Sequence, residues 1–321
     1  MAFYGWARCC EITIDHTKVP GDLVNFPIVL TQANTPSEMY DADGPYPARA
    51  DGGDIRVTSD SAGDTQLPVE VYYFLRDNDP ANGKSEIHVK VTSLSSSVDT
   101  KIYIWYAAPS ETMPTRTSTY GSDNVWNANY RFVCHNGATI NDSTSYALAG
   151  TNYSTTDDAT NTLIGVSARK FVSASSQYID YGNNVNINGN VAITVEAAVK
   201  FYTNAAVFQC VFGRCDTQYI LTKHSATSIV HFQIYDTTWQ MAYITTMVAG
   251  TWYNFAGRRT VSGGLVELVV NGTPAVVTDT STTISSSANY LQTGRNYSSP
   301  TGRYLDGWVE ETRISDSTRS N

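Results

Sequence analysis

The stretch Tyr304–Ser320, YLDGWVEETRISDSTRS, decides the fold. After an Asp306-Gly307 turn, strand alternation places Val309, Glu311 and Arg313 on one face and Trp308, Glu310, Thr312 and Ile314 on the other. It reads as a closing strand. Its two adjacent glutamates raise a chemical question, because a carboxylate buried in a strand has to be met by hydrogen bonds, a cation or a metal.

Working back along the chain, the same signature recurs. Alternating or apolar runs occupy residues 169–173, 177–181, 192–201, 207–213, 219–223, 229–235, 240–246, 251–258 and 265–271, with Asn-Gly turns at Asn136, Asn188 and Asn271. This pattern predicts antiparallel strands in a two-sheet jelly roll. The Thr- and Asn-rich passage 145–161 is expected as an exposed loop, and Trp252, inside a strand, as a core residue.

The first third gives a separate series of strands at residues 8–15, 25–32, 54–58, 67–75, 85–91 and 100–107. Ile87, Val89 and Val91 alternate with His88 and Lys90, the pattern of a sheet with one buried and one wet face. Pro109, Pro114 and the Thr/Ser run to Thr119 then interrupt the alternation. The chain is therefore expected to be all-β, with a β-sandwich at 1–115 and a jelly roll at 116–321.

Composition narrows the function. Only 16% of residues are charged, and 21 tyrosines with 22 glycines favour strands and turns over helices. A net charge of -9 speaks against nucleic acid as a partner, since phosphate neutralisation needs a basic surface. No apolar run is long enough to span a membrane, so membrane insertion is not expected, and the first residues lack the pattern of a secretion signal. Cys9, Cys10, Cys134, Cys210 and Cys215 are odd in number and lack zinc-like pairing. Reduced thiols are expected, with Cys210 and Cys215 the pair closest to bridging distance.

Four segments of the second half carry a resemblance: Arg169–Phe171 with Gln177–Tyr181, Val191–Ala198, Thr251–Tyr253 with Leu265–Gly272, and Gly307–Ile314. Taken in order they resemble the laminin-G-like, concanavalin A-like jelly rolls of bacterial and phage proteins, with Glu310 where the family usually has Asp. The first half, with Gly21–Pro27 and Asp51–Arg56, resembles an uncharacterised β domain placed directly before such jelly rolls. Some glycoside hydrolases share the jelly-roll fold and set two carboxylates on one strand face to flank one bond. Asp306, Glu310 and Glu311 do not match that spacing, so no catalytic residue is assigned and the protein is not expected to be an enzyme.

Two candidate sites remain. Jelly rolls of this kind often carry a structural calcium, and the resemblance would bring Asp142 near the closing strand, making Asp142, Glu310 and Glu311 candidate ligands. The bland alternative is an Asx-type turn at Asp142 and a glutamate paired with Arg313. Glycan binding needs aromatic faces beside polar groups, and Tyr235, Trp239, Tyr243, Tyr297, Tyr304 and Trp308 are the candidates. The five histidines are scattered and are read as strand-surface residues or as histidines satisfied by hydrogen bonds.

These readings point to a non-enzymatic structural or adhesion protein on the virion surface of a tailed phage, decorating the capsid or associated with the tail. It would be assembled in the host cytoplasm as a homo-oligomer, with other virion proteins and host-surface glycans as partners. A secreted bacterial adhesin or carbohydrate-binding module at the cell surface and a divergent glycoside hydrolase are the alternatives.

Overall fold

The computed structural model describes residues 5–126, 128–214, 218–225, 228–275, 278–296 and 303–319. The protein is all-β, and the helical turns among the described residues are short 3-10 segments. The chain divides into two compact units, Met1–Asn127 with Ile164–Val166, and Ala128–Leu163 with Ser167–Asn321.

The first unit contains β1 (Arg8–Ile14), β2 (Leu23–Thr31), β3 (Arg56–Thr58), β4 (Gln66–Leu67), β5 (Val69–Leu75), β6 (Lys84–Leu94) and β7 (Thr100–Tyr106). They form a sheet of order β1-β7-β3-β4 and a second of order β2-β6-β5. Alternate residues point into one core, with Ile102, Ile104 and Tyr106 of β7 and Ile87, Val89 and Val91 of β6 in the same cluster. The other face of β6 is not wet along its length. His88 is only 1% exposed and lies 3.0 Å from the Glu86 carboxylate. The Trp126 ring, 5.3 Å away and hydrogen-bonded to Glu70, covers this face, so a residue outside the strand pattern overrides the alternation.

The second unit contains β8 (Tyr130–Cys134), β9 (Thr151–Tyr153), β10 (Thr156–Asp158), β11 (Ala168–Phe171), β12 (Tyr178–Asp180), β13 (Ile193–Phe201), β14 (Gln209–Arg214) and β15 (Tyr219–Lys223). It continues through β16 (Val230–Tyr235), β17 (Trp239–Ile244), β18 (Trp252–Arg259), β19 (Leu265–Val270), β20 (Thr273–Pro274), β21 (Asp279–Thr280), β22 (Gln292–Thr293) and β23 (Gly307–Ser315). One sheet runs β10-β11-β23-β13-β18-β19-β20, with β8 also on β23 and β21 on β19; the other runs β17-β16-β15-β14-β22-β12-β9. Val195, Val199, Phe255 and Val309 of the first sheet meet Phe212, Leu221, Phe232 and Ile234 of the second in one core. The sheets close tightly at Gly257, where a Cβ would overlap the Phe232 ring. This is a jelly roll.

Further sequence expectations change. The passage 145–161 is not all loop: β9 pairs with β12 and β10 with β11, so neighbouring short strands extend different sheets. Trp252 is outside the core. It lies opposite Lys200, which in turn faces Trp308, on a row directed away from the core.

The closing strand departs from simple alternation. Val199 pairs with Val309 and Val195 with Ile314, so four steps along β13 match five along β23. Val309 and Ile314 therefore share the core, against the expectation that they face oppositely. The extra residue is absorbed at Glu311, whose φ of 51° is left-handed and which sits at a β-bulge. The bulge also marks a change of partner. Gly307–Val309 pair with β11, and Thr312–Ser315 with β8.

Glu311 is held by charge. Its carboxylate meets His135 Nδ1 at 2.6 Å and pairs with the Arg313 guanidinium, while its N–H donates to the His135 carbonyl at 3.3 Å. Burial works against the charged Arg313, and Glu311, Tyr130 and Glu196 together outweigh it, so the guanidinium pKa is raised. Glu311→Ala is expected to cost about 3 kcal/mol in urea unfolding, because it leaves the half-buried Arg313 guanidinium without its anion and the buried His135 imidazole without its partner. Glu311→Gly should be about 1 kcal/mol less harmful, since glycine adopts the bulge conformation freely. In an ordinary strand position the order would be reversed.

Candidate ligand-binding groove

The face of the β14–β17 sheet turned from the core is polar and aromatic. Tyr219, Leu221, Val230, Phe232, Ile234 and Ala242 fill the core, so the alternate residues Ile220, Thr222, His231, Gln233, Trp239, Met241 and Tyr243 point outward. Ile220, Thr222, His231, Gln233, Trp239 and Met241 line a groove of about 290 Å³, walled by Phe208, His224, Asn296 and Arg303.

The groove has a continuous aromatic side. The Arg303 guanidinium lies 4.3 Å from the Phe208 ring centre, Phe208 meets His224 edge-on at 5.8 Å, and His224 stacks on His231 at 4.9 Å. His231 continues to Tyr243 at 5.2 Å, and at the other end of the same strand pair Trp239 meets Tyr235 edge-on at 5.2 Å. Polar groups stand among these rings. Gln233 Nε2 is 3.2 Å from His231 Nδ1, and the fully buried Thr222 hydroxyl has no hydrogen-bond partner among the described residues. A buried hydroxyl left unmatched is unusual, and this one lies beneath the groove surface rather than on it. Burial and the adjacent His224 push His231 down to about 4, so its imidazole is neutral at neutral pH and can accept as well as donate.

The six aromatic candidates separate. Tyr235, Trp239 and Tyr243 fall on this one face. Tyr304 belongs to another cluster on the same sheet, 6.2 Å from Tyr178, which stacks on Tyr153 at 4.1 Å and 7° and carries the Arg295 guanidinium at 4.6 Å. Trp308 is on the other sheet and buried, flanked by Lys170 and Lys200, with its indole N–H donated to Asp158 at 2.9 Å; its ring is taken up by packing. Tyr297 and Cys215 lie outside the described residues. Phe208, Thr222, His224, His231 and Gln233 were not among the sequence candidates. For His231 and Gln233 the signal is the phase of Val230–Tyr235, VHFQIY, where apolar residues take the inner positions and His231, Gln233 and Tyr235 the outer ones.

The calcium candidates do not form one donor set. Asp142 is buried and accepts from the Val133, Thr144 and Leu148 N–H groups at 3.0, 2.9 and 3.3 Å and from the Thr144 hydroxyl at 2.8 Å. Burial raises its pKa while these bonds oppose the rise. Glu310 accepts from Leu163 N–H at 2.8 Å, and Glu311 faces an imidazole and a guanidinium. Calcium needs about six to eight oxygen ligands, and carboxylates spent on N–H donors and a cation do not fit it. Among the described residues, no group of three or more clustered metal-binding side chains contains Asp142 or Glu310.

The fold is a lectin-like jelly roll, and the groove on its outer face is a candidate ligand site. Residues 173–321 match the family profile described as the concanavalin A-like lectin/glucanases superfamily, and this segment is a concanavalin A-like domain. Similar solved structures include the binding domain of botulinum neurotoxin serotype D/C, at 10% identity and a TM-score of 0.47 over 60% of this chain and 50% of that one. The binding domain of Paraclostridial Mosquitocidal Protein 1 aligns at 10% identity and a TM-score of 0.48 over the same shares. The chain thus spans about half the length of these structures. No curated protein matches it significantly.

The depressed His231 pKa gives a pH signature. Between its ordinary value near 6.5 and about 4, the unfolded chain takes up the proton and the folded one does not, so stability falls as pH falls through this window. The loss should approach about 3 kcal/mol at pH 4. Thermal melts from pH 7 to pH 4 should show this acid limb, and His231→Gln should flatten it.

Proposed function

We propose that the protein is a non-enzymatic adhesion module whose jelly roll binds surface glycans in the Phe208–Trp239 groove. The observation that carries this reading is the groove's aromatic wall, which runs from Phe208 through His224 to His231 with Gln233, Asn296 and Arg303 as polar groups in the same lining. Sugars present apolar C–H faces and hydroxyl rims together, and this groove offers aromatic faces, side-chain amides, imidazoles and a guanidinium in the same small volume. The superfamily name, which joins lectins and glucanases, is compatible with sugar as the ligand class.

Binding without hydrolysis is supported by the chemistry of the lining. A glycosidase of the common type needs two carboxylates about 5–10 Å apart across the bond it cleaves. Among the described residues the groove's polar lining is Thr222, His224, His231, Gln233, Asn296 and Arg303, with no carboxylate. We further propose display on the virion surface of a tailed phage, as a capsid decoration or tail-associated adhesin. The resemblance of the N-terminal sandwich and jelly roll to modules paired in phage and bacterial surface proteins supports it. Repeated copies would convert weak single-site affinity into avidity.

On an array of bacterial surface polysaccharides, the intact protein should give discrete hits, and calorimetry with a hit oligosaccharide should show saturable binding without product formation. Trp239→Ala should weaken that binding at least about tenfold, the loss of one stacking face. An array without hits, or equal binding by the variant, would sink the glycan reading. Density for the protein on purified phage particles tests the location, and its recovery from a secretion system instead would support the bacterial adhesin.

A further inference from the structure

The first unit has a cleft of its own, of about 620 Å³, within the usual size range of about 300–1,000 Å³ for small-molecule sites. One wall is the loop Pro45–Asp51. The other is the segment from Ala107 to Pro109 that leaves β7, with Arg76 contributed from just beyond β5.

The walls are fixed before any ligand arrives. Asp54, fully buried, accepts from the Arg49 N–H on one side and the Ala108 N–H on the other, each at 2.9 Å. Three prolines of the lining have restricted φ, and Tyr46 is clamped by the Arg8 guanidinium, 3.3 Å from its ring centre. The surface so held is mainly apolar.

Its charges are unevenly spent. Arg49 lies on Asp51 through two N–H···O contacts of 3.1 Å and also donates to the Glu111 carbonyl. Arg76 donates one N–H to the Ala48 carbonyl at 2.9 Å, which anchors the side chain, and forms no ion pair among the described residues. A guanidinium carries five N–H donors in a planar fork. Arg76 therefore brings unused donors into the cleft, although the chain has a net charge of -9 and acidic partners are plentiful. Two arginines against one aspartate leave this lining with one net positive charge.

We infer that this cleft binds a small monocarboxylate, its carboxylate received by Arg76 and its ring-sized body laid against Tyr46 and the prolines. A monoanion matches the single net charge, whereas a phosphate dianion would exceed it and would face Asp51. The guanidinium fork suits the two oxygens of a carboxylate, and a half-desolvated charge–charge pair is stronger than an exposed one.

The test uses the full chain with sodium benzoate and sodium glucuronate as probes and benzyl alcohol as the neutral control. Calorimetry or ligand-observed NMR should show saturable binding of at least one carboxylate and none of the alcohol. Preference for benzoate would identify an apolar acid, and preference for glucuronate an acidic sugar. Arg76→Gln should weaken the carboxylate at least about tenfold with an unchanged melting temperature, and Arg76→Lys, a charge without the fork, should fall between the two. If Arg76→Gln fails to fold, the lysine variant alone decides. The inference is overturned if neither carboxylate saturates, if benzyl alcohol binds as well as benzoate, or if the folded Arg76 variants bind like the unaltered protein.

Discussion

The left-handed conformation of Glu311 is the constraint on which the jelly roll depends. The strand containing it must pair with β13 along nearly its whole length, while exchanging β11 for β8 on its other edge. A regular strand could not do this and still send both Val309 and Ile314 inward, because the side-chain period is two and these residues are five apart. One extra residue restores the phase. The conformation costs a non-glycine residue of order 1–2 kcal/mol, and glycine would avoid that cost. What glutamate supplies instead is a carboxylate that ties β8, through His135, to the closing strand, through Arg313. Burying three ionisable groups is a poor route to stability alone, but it specifies which residue bulges and which strand is captured.

That choice of phase carries through to the opposite sheet. Once the core is filled from β13, β18 and β23, the facing strands present Leu221, Phe232 and Ala242 to it, and Gly257 brings Phe232 close to β18. Thr222, His231, Gln233 and Tyr243 are then committed to the outer face, as the alternate residues of the same strands. The groove is a by-product of register. A slip of one residue in β16 would place His231 and Gln233 in the core and Phe232 in solvent, which the apolar cost of the exchange forbids.

This explains what was legible in the sequence. Strand positions were readable because alternation is local: the runs at 8–15, 85–91 and 265–271 appear as Arg8–Ile14, Lys84–Leu94 and Leu265–Val270. The resemblance also located the jelly roll. Three kinds of feature escaped, each for a physical reason. The bulge at Glu311 leaves no local mark, because glutamate has no preference for a left-handed backbone, and only pairing with β13 reveals the extra residue. The burial of His88 and Trp308 depends on Trp126, Lys170 and Lys200, which are distant in sequence. The groove was half visible: Tyr235, Trp239 and Tyr243 stood out as aromatics, whereas His224 and His231 gained meaning only when pairing stacked them.

The same geometry separates acid chemistry from the groove. Glu310 follows core-facing Val309 and points away from the core, and Glu311 turns to His135, so both carboxylates belong to the outer side of the sheet containing β13 and β23. The groove occupies the outer side of the other sheet. Between them lies the full thickness of the sandwich, two sheets spaced about 10 Å apart with their packed side chains. A carboxylate on one outer face cannot protonate or attack a bond held on the opposite one. The glutamates of the closing strand are committed to holding its bulge and its neighbouring loop, on the side of the sandwich opposite the groove.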